Sequence, residues 1–380
     1  MTDAISIQQV RFAQVRVSQA TEWTFAEVSD TSGSTALVEI TCGARSSDAV
    51  EKLSALVSAL KGKPVENERE VQTVCGMSDA ALQADRASAA AVSGLRTAVV
   101  ILQALQNSVS LTAQLGGEDA ESVQLYANIN RAMLGKDRTP QSFAALAERA
   151  VRAGFRIVKC APFEEVRPPS TPGKILTDAA TGLARVKAVR DAIGPDIRLL
   201  VDCHGRFEPH SAPIIGERLA ALGVGWFEEP LEPTEYAAEL ADLGKIAAVP
   251  LAGGENGYGV DFFRSLVSTG AVRTIMPDIK YCGGASEAYA AGAAVSEIGG
   301  QVSLHSPSGT ASLLAGAHCT AALTNAMPLE HAVYEAEWRA ELMVPAERVE
   351  SGRLWFPGGV GLGASLNPAV VARYGRLWEP

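Results

Sequence analysis

The second half of the chain alternates short apolar runs with amphipathic stretches, and each run closes on a single ionisable residue. RLLV leads to Asp202, VGWF to Glu228, VPLAGG to Glu255, TIMP to Asp278, QVSL to His305 and AMPL to Glu330. Successive closers stand 23 to 27 residues apart. A strand of about five residues, a helix of about ten and short loops need roughly that length. Near-continuous apolar runs such as IRLLVD suit parallel strands covered on both faces. The pattern therefore predicts a βα barrel whose strand ends converge on one mouth, where such barrels carry their active sites.

Upstream the rhythm differs. Residues 8–42 read as strands QVRFAQVRVS, EWTFAEVSD and TALVEIT, the last two joined by a polar DTSGS turn, which predicts an antiparallel meander. From about 47 to 115 apolar residues recur three and four apart in alanine-rich stretches, the mark of packed helices. VQLYANIN then reads as barrel strand one, SFAALAERAVRAG as a helix ending at Gly154, and FRIVKC as strand two. The step from Lys159 to Asp202 is 43 residues and contains EEVRPPSTPGK, a loop insertion at the mouth. The expected division is an α+β capping domain over 1–120, the barrel over 121–335, and a segment 336–380 that packs back on the cap.

Composition narrows the function. At 380 residues the chain accommodates a barrel of about 250 residues plus a smaller unit. A hydrophobic content of 47% with mean hydropathy near zero describes a soluble globular protein. No apolar run is read as approaching the roughly 18 residues of a membrane span. The opening MTDAISIQQVRF lacks a secretory pattern, and six cysteines are scattered without CxxC pairs. Both features predict a cytoplasmic protein with reduced thiols. A net charge of −10 argues against nucleic acid, and it requires a local cation wherever an anionic substrate enters.

Asp202, Glu228 and Glu255 come from three consecutive strands. Three hard oxygen ligands predict an Mg2+ site, and the lack of paired His and Cys argues against zinc. Glu229 competes with Glu228, but alternation sends only one inward, and Glu228 keeps the spacing. Asp278 beside His305 reads as a dyad in which the carboxylate holds the imidazole basic. Glu330 is expected to donate a hydrogen bond if burial keeps it protonated, with helix capping as its plainer role. Lys159 is expected across the mouth as counter-charge for a substrate carboxylate. Lys280, two residues after Asp278, competes for a catalytic role. His204 shares the face of Asp202 by strand alternation, either to deliver a proton to a leaving group or to support the metal carboxylates. Arg206 joins it as a substrate contact. Trp23 is either a mouth residue or a buried cap tryptophan.

The strings VKCAPF, VDCHGRF, WFEEPL, GGEN, PDIKYCGG, HSPSG and PLEH stand in the order and spacing of the enolase superfamily, and the chain resembles its mandelate-racemase-like branch. The resemblance implies an α/β fold, a modified TIM (β/α)7β barrel with an N-terminal α+β cap, and a homo-oligomer. It also implies a shared first step. Mg2+ on Asp202, Glu228 and Glu255 binds a substrate carboxylate, a base removes the α-proton, and the metal with Lys159 stabilises the enediolate. His305 with Asp278 matches the branch's base dyad. Asp278 precedes a Gly-Gly pair by the family's five positions, which rejects Lys280 as base. Lys159 matches the first lysine of the racemase pair, but Ala161 occupies the second. The run from Asp202 to Arg206 instead resembles acid-sugar dehydratases of the galactonate and mannonate type, where the corresponding His protonates the departing hydroxyl.

Together these readings predict an Mg2+-dependent dehydratase of a sugar acid, a small carboxylate. The alternatives are a racemase, epimerase or cycloisomerase with Lys159 as second base, and, from another class, a non-catalytic barrel acting as a binding protein.

Overall fold

A computed structural model describes residues 4–134, 137–171 and 173–380. The period-two stretches near the start form an antiparallel sheet. Ile5–Arg16 pairs with Glu22–Asp30, which pairs with Thr35–Glu39. On the other side of Ile5–Arg16 lies Gly375–Trp378, with Phe12 opposite Trp378. The apolar residues of this sheet, Phe12, Phe25, Val28 and Val38 among them, are buried against helices Ser46–Leu60 and Arg86–Gln106. The second of these helices corrects the sequence reading, because it is long and apolar enough to cross a membrane. Its apolar window is 89% buried inside the protein, between the cap sheet and the barrel.

The barrel strands are Ser122–Asn128, Ile157–Cys160, Arg198–Asp202, Val224–Glu228, Leu251–Gly253, Thr274–Ile275, Gln301–Val302 and Leu329–Ala332. Each pairs in parallel with the next through the seventh. The eighth pairs with the first, and the Met327 amide donates to the Val302 carbonyl at 2.8 Å, closing the ring. One main helix lies in each of the seven connections, from Pro140–Arg152 to Thr310–Ala322, so the fold is the expected (β/α)7β barrel with an α+β cap. Local chemistry starts the first of these helices: the Thr139 hydroxyl accepts the Ser142 amide, and Pro140 supplies a first-turn residue that needs no N–H partner. Beyond the eighth strand, Arg353–Trp355 adds an antiparallel edge to Ser122–Gln124 before the chain returns to the cap.

A layer of apolar side chains fills the barrel, with Tyr126, Ile157, Leu200, Trp226 and Met276 in one cluster. Each stands two residues before Asn128, Lys159, Asp202, Glu228 and Asp278 respectively. Strand alternation puts both members of each pair on the inward face. The apolar floor and the polar site above it are thus one alternation.

His318 joins three parts of the molecule. It lies on Thr310–Ala322, its Nδ1 is 2.8 Å from Thr112 Oγ1, and its Nε2 is 3.3 Å from the Leu362 carbonyl. Burial lowers its pKa to about 4. A histidine depressed in the fold contributes stability that is complete above its unfolded pKa and is lost as pH falls toward the folded value. Urea unfolding at pH 7 and pH 4 should therefore show a loss to which His318 contributes about 3 kcal/mol. His318→Gln, though less stable at pH 7, should show a correspondingly shallower pH dependence.

Candidate active site

Lys159 is fully buried on the second strand, under the ends of the third, fourth and eighth. Its Nζ stands 2.7 Å from Glu228 Oε1, 2.6 Å from Glu330 Oε1 and 3.9 Å from Asp202 Oδ2. Burial works against the ammonium, but Glu228 and Glu330 outweigh it and hold the pKa well above its ordinary value. In the structure its charge is engaged by these internal acids. Burial and the neighbouring Asp202 push Glu228 up to about 8 even with Lys159 beside it. The cluster holds more negative charge than one lysine neutralises.

Glu330 takes Lys159 and the Asn128 amide on Oε1, the latter at 2.6 Å, and the Ser306 backbone amide on Oε2 at 2.9 Å, so all three of its partners are donors.

The choice between Glu228 and Glu229 follows from backbone geometry. Glu228 ends its strand opposite Asp202, and its Oε2 accepts the Trp226 indole N–H at 3.0 Å. Glu229 has φ +38° and turns away, its Oε1 accepting the amides of Gly254 and Glu255 at 2.8 and 3.1 Å. Glu255 lies three residues beyond the floor residue Ala252, off the period-two beat. Gly254, at φ +104°, makes the extra turn that restores it. At Gly253 a Cβ would meet Glu229 Cγ at 2.8 Å.

His305 bridges two acids, with Nδ1 2.9 Å from Asp278 Oδ2 and Nε2 2.8 Å from Glu255 Oε2. Burial would lower its pKa, but Glu255 and then Asp278 raise it to about 10. Asp278 has a second partner that the rejection of Lys280 as base overlooked. The Lys280 amide donates to Oδ1 at 2.9 Å and its Nζ to Oδ2 at 2.8 Å. Against the cost of burial, Lys280 and then His305 hold Asp278 at about 2. Lys280 therefore fixes the carboxylate that orients His305.

His204 reaches Asp202 by a different route from the one expected. The strand ends at Asp202, and a turn with His204 at φ +50° brings Nε2 back to 3.0 Å from Asp202 Oδ2. Its Nδ1 lies 3.4 Å from Glu164 Oε1, in the loop after strand two. Asp202 is the main cause of a His204 pKa raised to about 12, with burial opposing. Arg206 holds that same Glu164, at 3.1 Å. Trp23 satisfies both of its readings: it is 1% exposed, packs edge-on to Trp338, and lines the cavity.

That cavity, about 310 Å³, lies between cap and barrel with Trp23, Arg86, Arg131, Asp278 and His305 on its walls. A larger one of about 480 Å³ opens at the cap–barrel seam beside Gln72, Arg96 and Glu287, but none of the strand-end residues lines it.

Asp202, Glu228 and Glu255 are hard oxygen donors on adjacent strands. Each is at present engaged, by His204, Lys159 and His305 respectively, and among the described residues no three His, Cys, Asp or Glu groups stand together in ligating geometry. Their chemistry nonetheless suits Mg2+: they are hard oxygen donors, and the carboxylates of Asp202, Glu228 and Glu330 share the single ammonium of Lys159.

Lys159→Met should leave Glu228 and Glu330 buried without their cation, at a cost of about 3–5 kcal/mol in denaturant unfolding. A loss under 1 kcal/mol would contradict this account of the buried cluster.

Residues 142–370 match the family described as Enolase C-terminal domain-like. Among relatives, D-galactarolactone cycloisomerase of Agrobacterium fabrum is 29% identical over 77% of this chain and 75% of its own length. D-Gluconate dehydratase of Thermoproteus tenax is 27% identical over 76% of this chain but only 56% of its own length. D-Galactonate dehydratase of Verminephrobacter eiseniae is 26% identical over 75% and 74%. The fold matches a mandelate racemase/muconate lactonizing enzyme from Jannaschia sp. at TM-score 0.83, with 21% identity and 98% of each chain covered. The family match spans more than half of the chain, and this protein belongs to the enolase superfamily.

Proposed function

We propose that this chain is an Mg2+-dependent sugar-acid dehydratase, converting an aldonate or aldarate to a 2-keto-3-deoxy acid, and that it works in the cytoplasm as a homo-oligomer. The observation that carries the reaction is the placement of two imidazoles on one carboxylate cluster. His305 arrives from the seventh strand and His204 from the third, and Glu255 is influenced by both. Dehydration needs one group to take a proton and another to give one.

When bound by Asp202, Glu228 and Glu255, Mg2+ would draw charge from the substrate carboxylate and favour the enediolate. The chain's own groups do the rest. His305 Nε2 parts from Glu255 and takes the α-proton while Nδ1 stays on Asp278. Losing Glu255 removes the strongest attraction that raises the His305 pKa, so the ring becomes a usable base. The C–H electron pair enters the enediolate and then expels the β-hydroxyl. His204, held protonated by Asp202, gives its proton to that hydroxyl, which leaves as water. The enol then tautomerises to the ketone. The relatives named as gluconate and galactonate dehydratases support this reading.

The cycloisomerase relative supports a second reading on the same scaffold. Lys159 suits a second base poorly, because it is buried and held cationic, and Ala161 stands where a paired lysine would. Product of unchanged mass would favour isomerisation, whereas loss of water favours dehydration.

His305→Asn should lower α-proton exchange in D2O by at least about 10²–10⁴, the contribution of a general base. Persistent exchange would assign the base elsewhere. His204→Asn should block dehydration more severely than exchange; equal loss of both would make His204 a support for the metal carboxylates. Chelation should abolish turnover and added Mg2+ restore it, and full activity without metal would overturn the proposal.

A further inference from the structure

Two cations in the mouth cavity have no role in the steps above. Arg86, at the start of the long cap helix, is exposed to the cavity, and Arg131 enters from the turn after barrel strand one. Among the described residues no carboxylate lies within 4.0 Å of either guanidinium. The buried arginines behave otherwise: Arg96 pairs with Glu68 and Glu287, Arg185 with Glu165, and Arg339 with Glu347.

The acids on the cavity wall already have partners. Glu22 pairs with Arg16 at 2.7 Å, and Asp278 is shared by Lys280 and His305. Glu39 accepts the Gly309 and Ser312 amides and the Thr41 hydroxyl. Neither guanidinium therefore has an ion-pair partner among the described residues, although Glu255 and Asp278 attract Arg86 from beyond 4.0 Å, in a protein whose net charge is −10.

Arg86 is also held in place. Its NH1 donates to Asn256 Oδ1 at 2.5 Å, Asn256 is itself anchored to Glu232, and the guanidinium lies 4.0 Å over the Tyr281 ring. A fixed planar fork facing a small cavity matches a carboxylate better than scattered hydroxyls. The proposed reaction already assigns the carboxylate next to the reacting carbon to the strand-end cluster.

We infer that the substrate carries a second carboxylate, held by Arg86 and Arg131, so that this chain acts on sugar diacids rather than on monoacids with a neutral far end. This rests on the sugar-acid reading and selects within it.

The test uses pairs that differ only at C6, galactarate against galactonate and glucarate against gluconate, with the Mg2+-loaded full chain. At least one diacid should exceed its monoacid in kcat/KM. Arg86→Met and Arg131→Met should each raise KM for that diacid about 10- to 100-fold, with kcat less affected, and erase the preference. A wild-type preference for the monoacids would overturn the inference while leaving dehydration intact. So would equal weakening of both acids in the variants, which would put the guanidiniums on the shared carboxylate. If neither acid is turned over, the rise in Tm on adding each acid still decides. Stabilisation by the diacid that both variants abolish would uphold the second-carboxylate site and remove the dehydratase reading; no stabilisation by the diacid would overturn both.

Discussion

The contact on which this site depends is the lysine buried among acids beneath it. Lys159 ties the ends of the second, fourth and eighth strands through Glu228 and Glu330, in a place where water screens nothing. Isolated buried carboxylates would take up protons or push the strands apart; one ammonium between them allows the cluster to persist. Three carboxylates, of Asp202, Glu228 and Glu330, share that one ammonium, and such a cluster of hard oxygens suits the mouth to a divalent cation. Stability and chemistry here draw on the same imbalance.

Above that floor, three acidic groups are matched with cations of the chain. Asp202 meets His204, Glu255 meets His305, and Asp278 is shared by Lys280 and His305. The arrangement holds each imidazole between two carboxylates. Binding exchanges these internal contacts for external ones rather than creating order from nothing, which lowers the entropic cost of assembling the site.

Much of this was legible in the chain because strands enforce a period of two. Asp202 and Glu228 end regular strands, each two residues after a floor residue, and their positions follow from alternation alone. Where the backbone leaves the strand, spacing alone does not carry the position of a side chain. His204 arrives by a left-handed turn and Glu255 through a glycine, neither of which period-two counting contains. Glu229, Lys280 and Glu164 act by holding a neighbour, so their roles depend on directions that no spacing encodes. Arg86 was invisible for a further reason. It begins an alanine-rich helix more than 160 residues from Asn256, and only the docking of cap on barrel brings it to the mouth. The donors to Glu330 come from three different strand ends or loops, a convergence that spacing along the chain does not contain.

The pairing of Phe12 with Trp378 has a consequence for the order in which the molecule is built. A chain emerging from the ribosome presents the first three strands of the cap sheet early, with one flank of Ile5–Arg16 lacking its neighbour. That neighbour is made some 360 residues later, at a synthesis rate of about 5–20 residues per second. The barrel can be complete before the cap is, and the cap contributes Trp23 and Arg86 to the mouth. For roughly a minute or less, an exposed strand edge has to be kept from pairing with other chains.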